Sequence, residues 1–72
     1  MRIVLRGRVA EVVSLLCDGY KVKEIAEIMG IARRTVKMHL NKAYVQLHIT
    51  DKWIKQVRLV YLVKIGFAEL KK

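Results

Sequence analysis

Glycine positions and helical apolar spacing are the features that most constrain the fold of this chain. Its 72 residues contain no proline and four glycines. Between the glycines, apolar residues recur at the i, i+3, i+4, i+7 positions of one helical face. One such face runs from Val9 to Cys17, and Gly19 then supplies the left-handed backbone on which helices often end. This pattern predicts a first helix that ends before Gly19.

The next two segments predict a pair of short helices joined by a turn. The segment from Val22 to Met29 places its apolar residues on one side, and Gly30 follows it. A second stripe, from Val36 to Leu47, begins after a short turn, and basic and polar residues occupy the remaining surface. Two short helices joined by a three- or four-residue turn with a glycine form the helix-turn-helix pattern.

A fourth helix is predicted from Asp51, a good N-cap residue, to about Ile65, before Gly66. This helix is apolar nearly all round and must be covered on more than one side. A monomer of this size can cover one side at most, so we expect a second copy to cover the other. The alternative is a single helix with an exposed apolar back. The expected dimer contacts are Trp53, Leu59, Val60, Leu62 and Val63. The sequence thus predicts one all-α domain over residues 1–72, with a three-helix core and a long C-terminal dimerisation helix.

Charge and apolar content narrow the class of function. Fifteen Lys and Arg against six Asp and Glu give a net charge of +9, while 54% of residues are apolar. Disordered chains combine charge with low hydrophobicity, so we expect a folded domain with an anionic partner. The apolar runs are far shorter than the roughly 20 residues of a membrane span. Arg2, Arg6 and Arg8 interrupt the start, where a signal peptide needs an apolar stretch. We therefore expect a cytoplasmic location.

The sequence shows no group of residues at the spacing typical of a catalytic or metal-binding site. Cys17 is the one cysteine and lies among apolar residues, where free cysteine packs as a small hydrophobe. His39 and His48 lack the neighbouring ligands of a zinc site. We expect neither an enzyme nor a cofactor, a metal or a small-molecule ligand.

Residues at fixed spacing carry a resemblance to a known family. They are Gly19, Lys23-Glu24-Ile25-Ala26, Met29-Gly30-Ile31, Arg34-Thr35-Val36-Lys37 and His39-Leu40, followed by Tyr44 and Leu47. This pattern resembles the LuxR/GerE-type helix-turn-helix transcription regulators, over a stretch from about Leu5 to Phe67. Met1 lies only four residues before Leu5, so we expect a stand-alone effector without its own sensor, although a fragment of a larger regulator stays open.

The chain departs from the family pattern at several helix ends. Arg6, Lys21 and Ala32 stand where the family usually has Thr or Ser caps. Such a cap contributes about 1 kcal/mol. His48 stands where a glycine is common, which puts the geometry of that turn in question. Glu24 is expected to be structural, pairing with a basic side chain or a helix end.

The resemblance implies that the second helix of the motif, about Arg33 to Leu47, lies in the major groove of DNA. By position, Lys37, Met38 and Asn41 are expected to face base edges. Lys suits guanine, Asn suits adenine, and an apolar tip suits a thymine methyl group. Cationic, hydroxyl and imidazole side chains suit phosphate oxygens. The expected phosphate contacts are Lys21, Lys23, Arg33, Arg34, Thr35, His39 and Lys42, each with ordinary solvated surface as the alternative.

We therefore expect a sequence-specific transcription regulator that binds double-stranded DNA as a homodimer on the nucleoid, with RNA polymerase as a partner left open. Two alternatives remain at this stage. One is a sigma region-4-like fragment that binds RNA polymerase. The other is an adaptor or anti-activator that captures another regulator through helix four. A cationic membrane peptide would account for the positive charge but not for the helix-turn-helix motif, whose helices end at glycines.

Overall fold

The computed structural model describes residues 2–50 and 54–71 of the chain. Its elements follow in the order β1 (Ile3–Arg6), α1 (Gly7–Cys17), α2 (Val22–Met29), α3 (Arg33–Gln46), α4 (Lys55–Lys64) and β2 (Ala68–Lys71). The first three predicted helices are confirmed, and α2 and α3 form the predicted helix-turn-helix pair. The prediction of an all-α chain is wrong at both ends, where short strands occur.

The two strands pair in parallel, with Ile3 opposite Ala68 and Arg6 opposite Lys71. The Ile3 N–H donates a further hydrogen bond of 2.9 Å to the carbonyl of Phe67. At the other end of β1, Gly7 has a φ of 62°, and the strand passes directly into α1 without a loop. This φ is one that glycine adopts without steric cost. The small sheet therefore fastens both ends of the chain to the helical body.

The core is built around α1. Ala10, Val12 and Val13 on this helix have no exposed surface, and α1 contacts every other helix and both strands. Leu5 from β1 and Leu59 from α4 are equally buried against the same cluster. The apolar stripe that the sequence predicts for helix one is thus the common support of the other elements.

The first three helices begin without a side-chain cap, as the family departures predicted. Arg6, Lys21 and Ala32 are the N-cap residues, and none of their side chains bonds to the helix. At α2 the carboxylate of Glu24 instead accepts a hydrogen bond of 2.9 Å from the Lys21 backbone N–H. This contact is one half of a capping box. The structural role predicted for Glu24 is confirmed.

Each helix ends at a residue with a positive φ, which is the C-cap of α2 and the residue after the C-cap of α1, α3 and α4. After α3 the Ile49 N–H donates to the Tyr44 carbonyl at 2.9 Å, and the His48 N–H donates to the Val45 carbonyl at 3.2 Å. These two bonds define a Schellman motif. Glycine occupies the left-handed position at the ends of α1, α2 and α4, whereas His48 occupies it here, with a φ of 55°. The turn is therefore kept despite the missing glycine.

The fourth helix differs from its prediction in length and orientation. It begins at Lys55 with Ile54 as the N-cap residue, rather than after Asp51. Asp51 and Trp53 lie outside the described residues. Leu59 is completely buried in the core of its own chain, so the prediction that it contacts a second copy is wrong. When a helix is apolar on all sides, its sequence does not show which side packs against the core of its own chain.

The other three predicted dimer contacts on α4 also face mainly inward. Val60, Leu62 and Val63 are half-buried and pack against the core cluster.

Within residues 2–50 and 54–71, no helix is long and apolar enough to cross a membrane.

We predict that His48→Gly stabilises the fold by about 1 kcal/mol. A side chain in the left-handed region costs about 1–2 kcal/mol, and the greater freedom of glycine in the unfolded chain offsets part of that gain. Thermal unfolding followed by circular dichroism at equal protein concentration should show a midpoint several degrees higher. His48→Ala keeps the Cβ atom and should show no comparable gain. An equal rise in both variants would assign the effect to loss of the imidazole.

Candidate nucleic-acid interface

The orientation of α3 is set by the stripe that it buries. Val36, Leu40, Ala43 and Tyr44 face the core along one side of this helix. Consecutive residues of an α-helix are about 100° apart around its axis. Because the buried residues all lie on one side, the other side of α3 faces solvent. Tyr44 also lies beneath the ammonium group of Lys55, whose Nζ is 5.4 Å from the ring centroid. This contact ties α3 to the start of α4.

The three side chains predicted to read bases lie on the exposed surface of α3. Lys37 and Asn41 are exposed and lie one turn apart, and Met38 between them is 47% exposed. None of the three packs in the core of the described structure. Because the buried stripe fixes the rotation of α3 about its axis, these three side chains do not face the core.

Basic side chains surround this surface on α2 and α3. Lys23 and Arg33 line one shallow groove at the turn between the two helices, together with Glu27. Lys21 is also exposed but lines a different depression, beside Gln56 of α4. The structure thus brings Lys23 together with the start of α3 and sets Lys21 apart from it.

The positive charge of this surface is not neutralised from within. Across residues 2–50 and 54–71, none of the six cations on α2, α3 or the residue before α2 forms an ion pair. They are Lys21, Lys23, Arg33, Arg34, Lys37 and Lys42. One nearby carboxylate, on Glu24, is engaged by the backbone at the start of α2. The cations are therefore available to an external anion.

Two further predicted phosphate contacts, Thr35 and His39, are half-buried and lie one turn apart on α3. The Nδ1 atom of His39 is buried and has no hydrogen-bond partner. Nε2 is therefore the ring nitrogen that can meet a ligand.

The start of α3 adds backbone donors to the same surface. Ala32 brings no side-chain oxygen to the first turn, which contains no acidic residue. Unpaired N–H groups and the positive end of the helix dipole attract anions. The lack of a cap thus increases the positive character of this end.

One exposed apolar residue of α3 was not predicted as part of the site. Val45 is 73% exposed and lines a shallow depression with Met38, Asn41, Lys42 and Gln46. Its spacing of seven residues from Met38 is the sequence signal that could have found it, because residues seven apart share a helix face.

The side chains that could hold a metal ion are dispersed in the described part of the chain. No three His, Cys, Asp or Glu side chains lie close enough together there to hold a metal ion. Burial raises the pKa of the Cys17 thiol above its ordinary value, and nearby Lys64 only partly opposes that rise. A thiol with a raised pKa is a poor nucleophile near neutral pH.

A second surface lies on α4. Ile54, Val57, Tyr61 and Ile65 are large apolar residues that remain exposed. Their spacing of three, four and four residues places them along one side of the helix. This set, here called the outer stripe of α4, lies opposite the buried Leu59.

Comparison with known proteins identifies the helix-turn-helix region. The sequence model of the GerE family, described as bacterial regulatory proteins of the luxR family, matches residues 4–54. The match includes α1, α2 and α3 and ends before α4 begins. No curated protein and no solved structure matches the chain. Because the match covers more than half of the sequence, the chain belongs to the luxR family of bacterial regulatory proteins, which are helix-turn-helix DNA-binding regulators rather than enzymes.

Proposed function

We propose that this protein is a sequence-specific regulator of transcription that binds double-stranded DNA as a homodimer, with α3 in the major groove. The observation that carries the proposal is the outer surface of α3. There Lys37, Met38 and Asn41 are exposed outside the buried stripe, among cations that have no ion-pair partner in the described structure. The major groove of B-DNA is wide enough to admit an α-helix.

The chemistry of the three side chains supports direct reading of bases. The ammonium group of Lys37 can donate to O6 and N7 of guanine, and the amide of Asn41 can pair with N6 and N7 of adenine. Met38 brings an apolar tip that can contact the 5-methyl group of thymine. Different donors and an apolar group on one surface can discriminate between base pairs.

The surrounding residues are proposed to hold the phosphate backbone. Arg33, Arg34 and Lys42 are exposed on α3, and Lys23 lies beside Arg33. Lys21, Thr35 and His39, which the sequence also predicts as phosphate contacts, are included in this proposal. Phosphate contacts of this kind fix the position of the helix on DNA and carry no sequence information directly.

Homodimerisation is proposed through the outer stripe of α4, and Trp53, which the sequence predicts as a dimer contact, is kept as a further proposed contact. Four exposed apolar side chains along one side of a helix suit a partner helix. Two-fold pairing would place two copies of α3 on half-sites separated by a whole turn of DNA, about 34 Å, or a multiple of it. Val60 and Leu62 are only half-buried and can flank this contact.

Selection of binding sites from random double-stranded DNA tests the proposed function directly. We expect enrichment of a motif with two-fold symmetry. We also expect log K to fall linearly with log salt, by about 0.9 per phosphate neutralised. Failure to enrich any sequence, combined with affinity that does not respond to salt, would exclude DNA as the main partner.

We predict that Lys37→Ala weakens binding to the selected site by about 1–3 kcal/mol and relaxes the base preference at one position. The reason is loss of the ammonium donor to a base edge. Fluorescence anisotropy with the selected duplex and with a scrambled duplex measures both effects. An equal loss on the two duplexes would make Lys37 a phosphate contact.

The orientation of His39 leads to a further prediction. His39→Gln should retain most of the affinity, because the glutamine amide can place a donor near the position of Nε2. His39→Asn, whose amide nitrogen lies near the position of Nδ1, should lose affinity about as much as His39→Ala. Equal binding by the Gln and Asn variants would remove Nε2 as the contacting atom.

We predict that Tyr61→Lys produces monomers, since a charge in the middle of the outer stripe would have to be buried between two copies. Sedimentation equilibrium measures the mass, and binding to single and paired half-sites measures the consequence on DNA. Ile28→Lys adds the same charge at an exposed apolar residue of α2 and is the control. A wild-type protein that is monomeric both free and on paired half-sites would contradict dimerisation. In that case the outer stripe would become available to an adaptor role.

A further inference from the structure

We propose that Val45 is a specificity-determining residue of α3, which together with Met38 recognises the 5-methyl groups of two thymines about three base pairs apart. The inference rests on the proposed docking of α3 in the major groove. Val45 has the largest exposed fraction of any large hydrophobic side chain in the described structure, at 73%.

The position of Val45 on the helix aligns it with Met38. Seven residues correspond to about two turns, so the two side chains lie within about 20° of each other around the axis and about 10.5 Å apart along it. Both point away from the buried stripe of Val36, Leu40 and Ala43. They therefore form the line of α3 that projects furthest from the core.

The spacing matches the dimensions of the DNA. Base pairs rise by about 3.4 Å along the duplex axis, so two side chains 10.5 Å apart in that direction lie about three base pairs apart. A valine has no donor or acceptor, and it can distinguish bases only through an apolar contact. In the major groove thymine is the base that presents a methyl group. The thymine methyl group is thus the feature by which Val45 can distinguish one base from the others.

The surroundings of Val45 favour DNA over a protein as its occupant. The depression that Val45 shares with Met38 is also lined by Asn41, Lys42 and Gln46. A cation and two amides around two apolar side chains match a groove of base edges between phosphates. The apolar residues of the outer stripe of α4, in contrast, adjoin one another on their own helix.

Deoxyuridine lacks the 5-methyl group of thymine and is the probe for this contact. Each thymine of the selected site is replaced singly by deoxyuridine, and binding is measured for wild type, Val45→Ala and Met38→Ala. We expect two positions, about three base pairs apart, where the wild type loses about fourfold in affinity, the effect of one buried methyl group. Val45→Ala should bind the unmodified site more weakly and be indifferent to the change at one of these positions. Met38→Ala should be indifferent at the other.

Ile28→Ala is the matched control, since it shortens an exposed β-branched side chain on α2 and should keep the wild-type response at every position. If Val45→Ala binds like the wild type and keeps every deoxyuridine penalty, Val45 does not read a thymine and the inference is overturned. A wild-type protein that prefers no sequence at all would instead overturn the proposed function, and this inference with it. The two failures are therefore distinguishable.

Discussion

The packing of α1 against α3 is the contact on which the rest of the structure depends. α1 contributes Ala10, Val12 and Val13, all without exposed surface, and α3 meets the same cluster with Val36 and Ala43. Full burial of an apolar side chain contributes about 1.5–3 kcal/mol, so a few such residues hold a chain of this size together. The same contact decides which side of α3 turns outward. A residue that stabilises α1 therefore also orients the surface of α3 that is proposed to bind DNA.

Charge and apolar surface are distributed on different elements of this chain. Four cations without an ion-pair partner in the described structure lie on α3 and one lies on α2, whereas much of the exposed apolar surface lies along α4, beyond the family match. The charged surface is presented by helices that are firmly packed. A small domain can in this way present a positively charged face without placing a charged side chain in its core, because its described buried side chains are all apolar.

Much of the helical structure follows from the sequence, since apolar periodicity and glycine positions define α1, α2 and α3 and so place Lys37, Met38 and Asn41 outward. The strands do not, because each has four residues and their pairing joins segments more than sixty residues apart in the chain. Leu59 was assigned to the wrong contact because α4 is apolar on every side. Val45 was missed for a related reason, as an apolar residue within a helix is first read as part of its core.

The parallel pairing of β1 with β2 has a mechanical consequence. The chain enters β1 at Ile3 and leaves β2 at Lys71, at opposite ends of the small sheet. Tension applied to the two ends of the chain would therefore slide the strands past each other, loading their hydrogen bonds together rather than one after another. Shear of this kind resists force better than unzipping does. A sheet of eight residues would then protect the helices from being pulled apart through their ends.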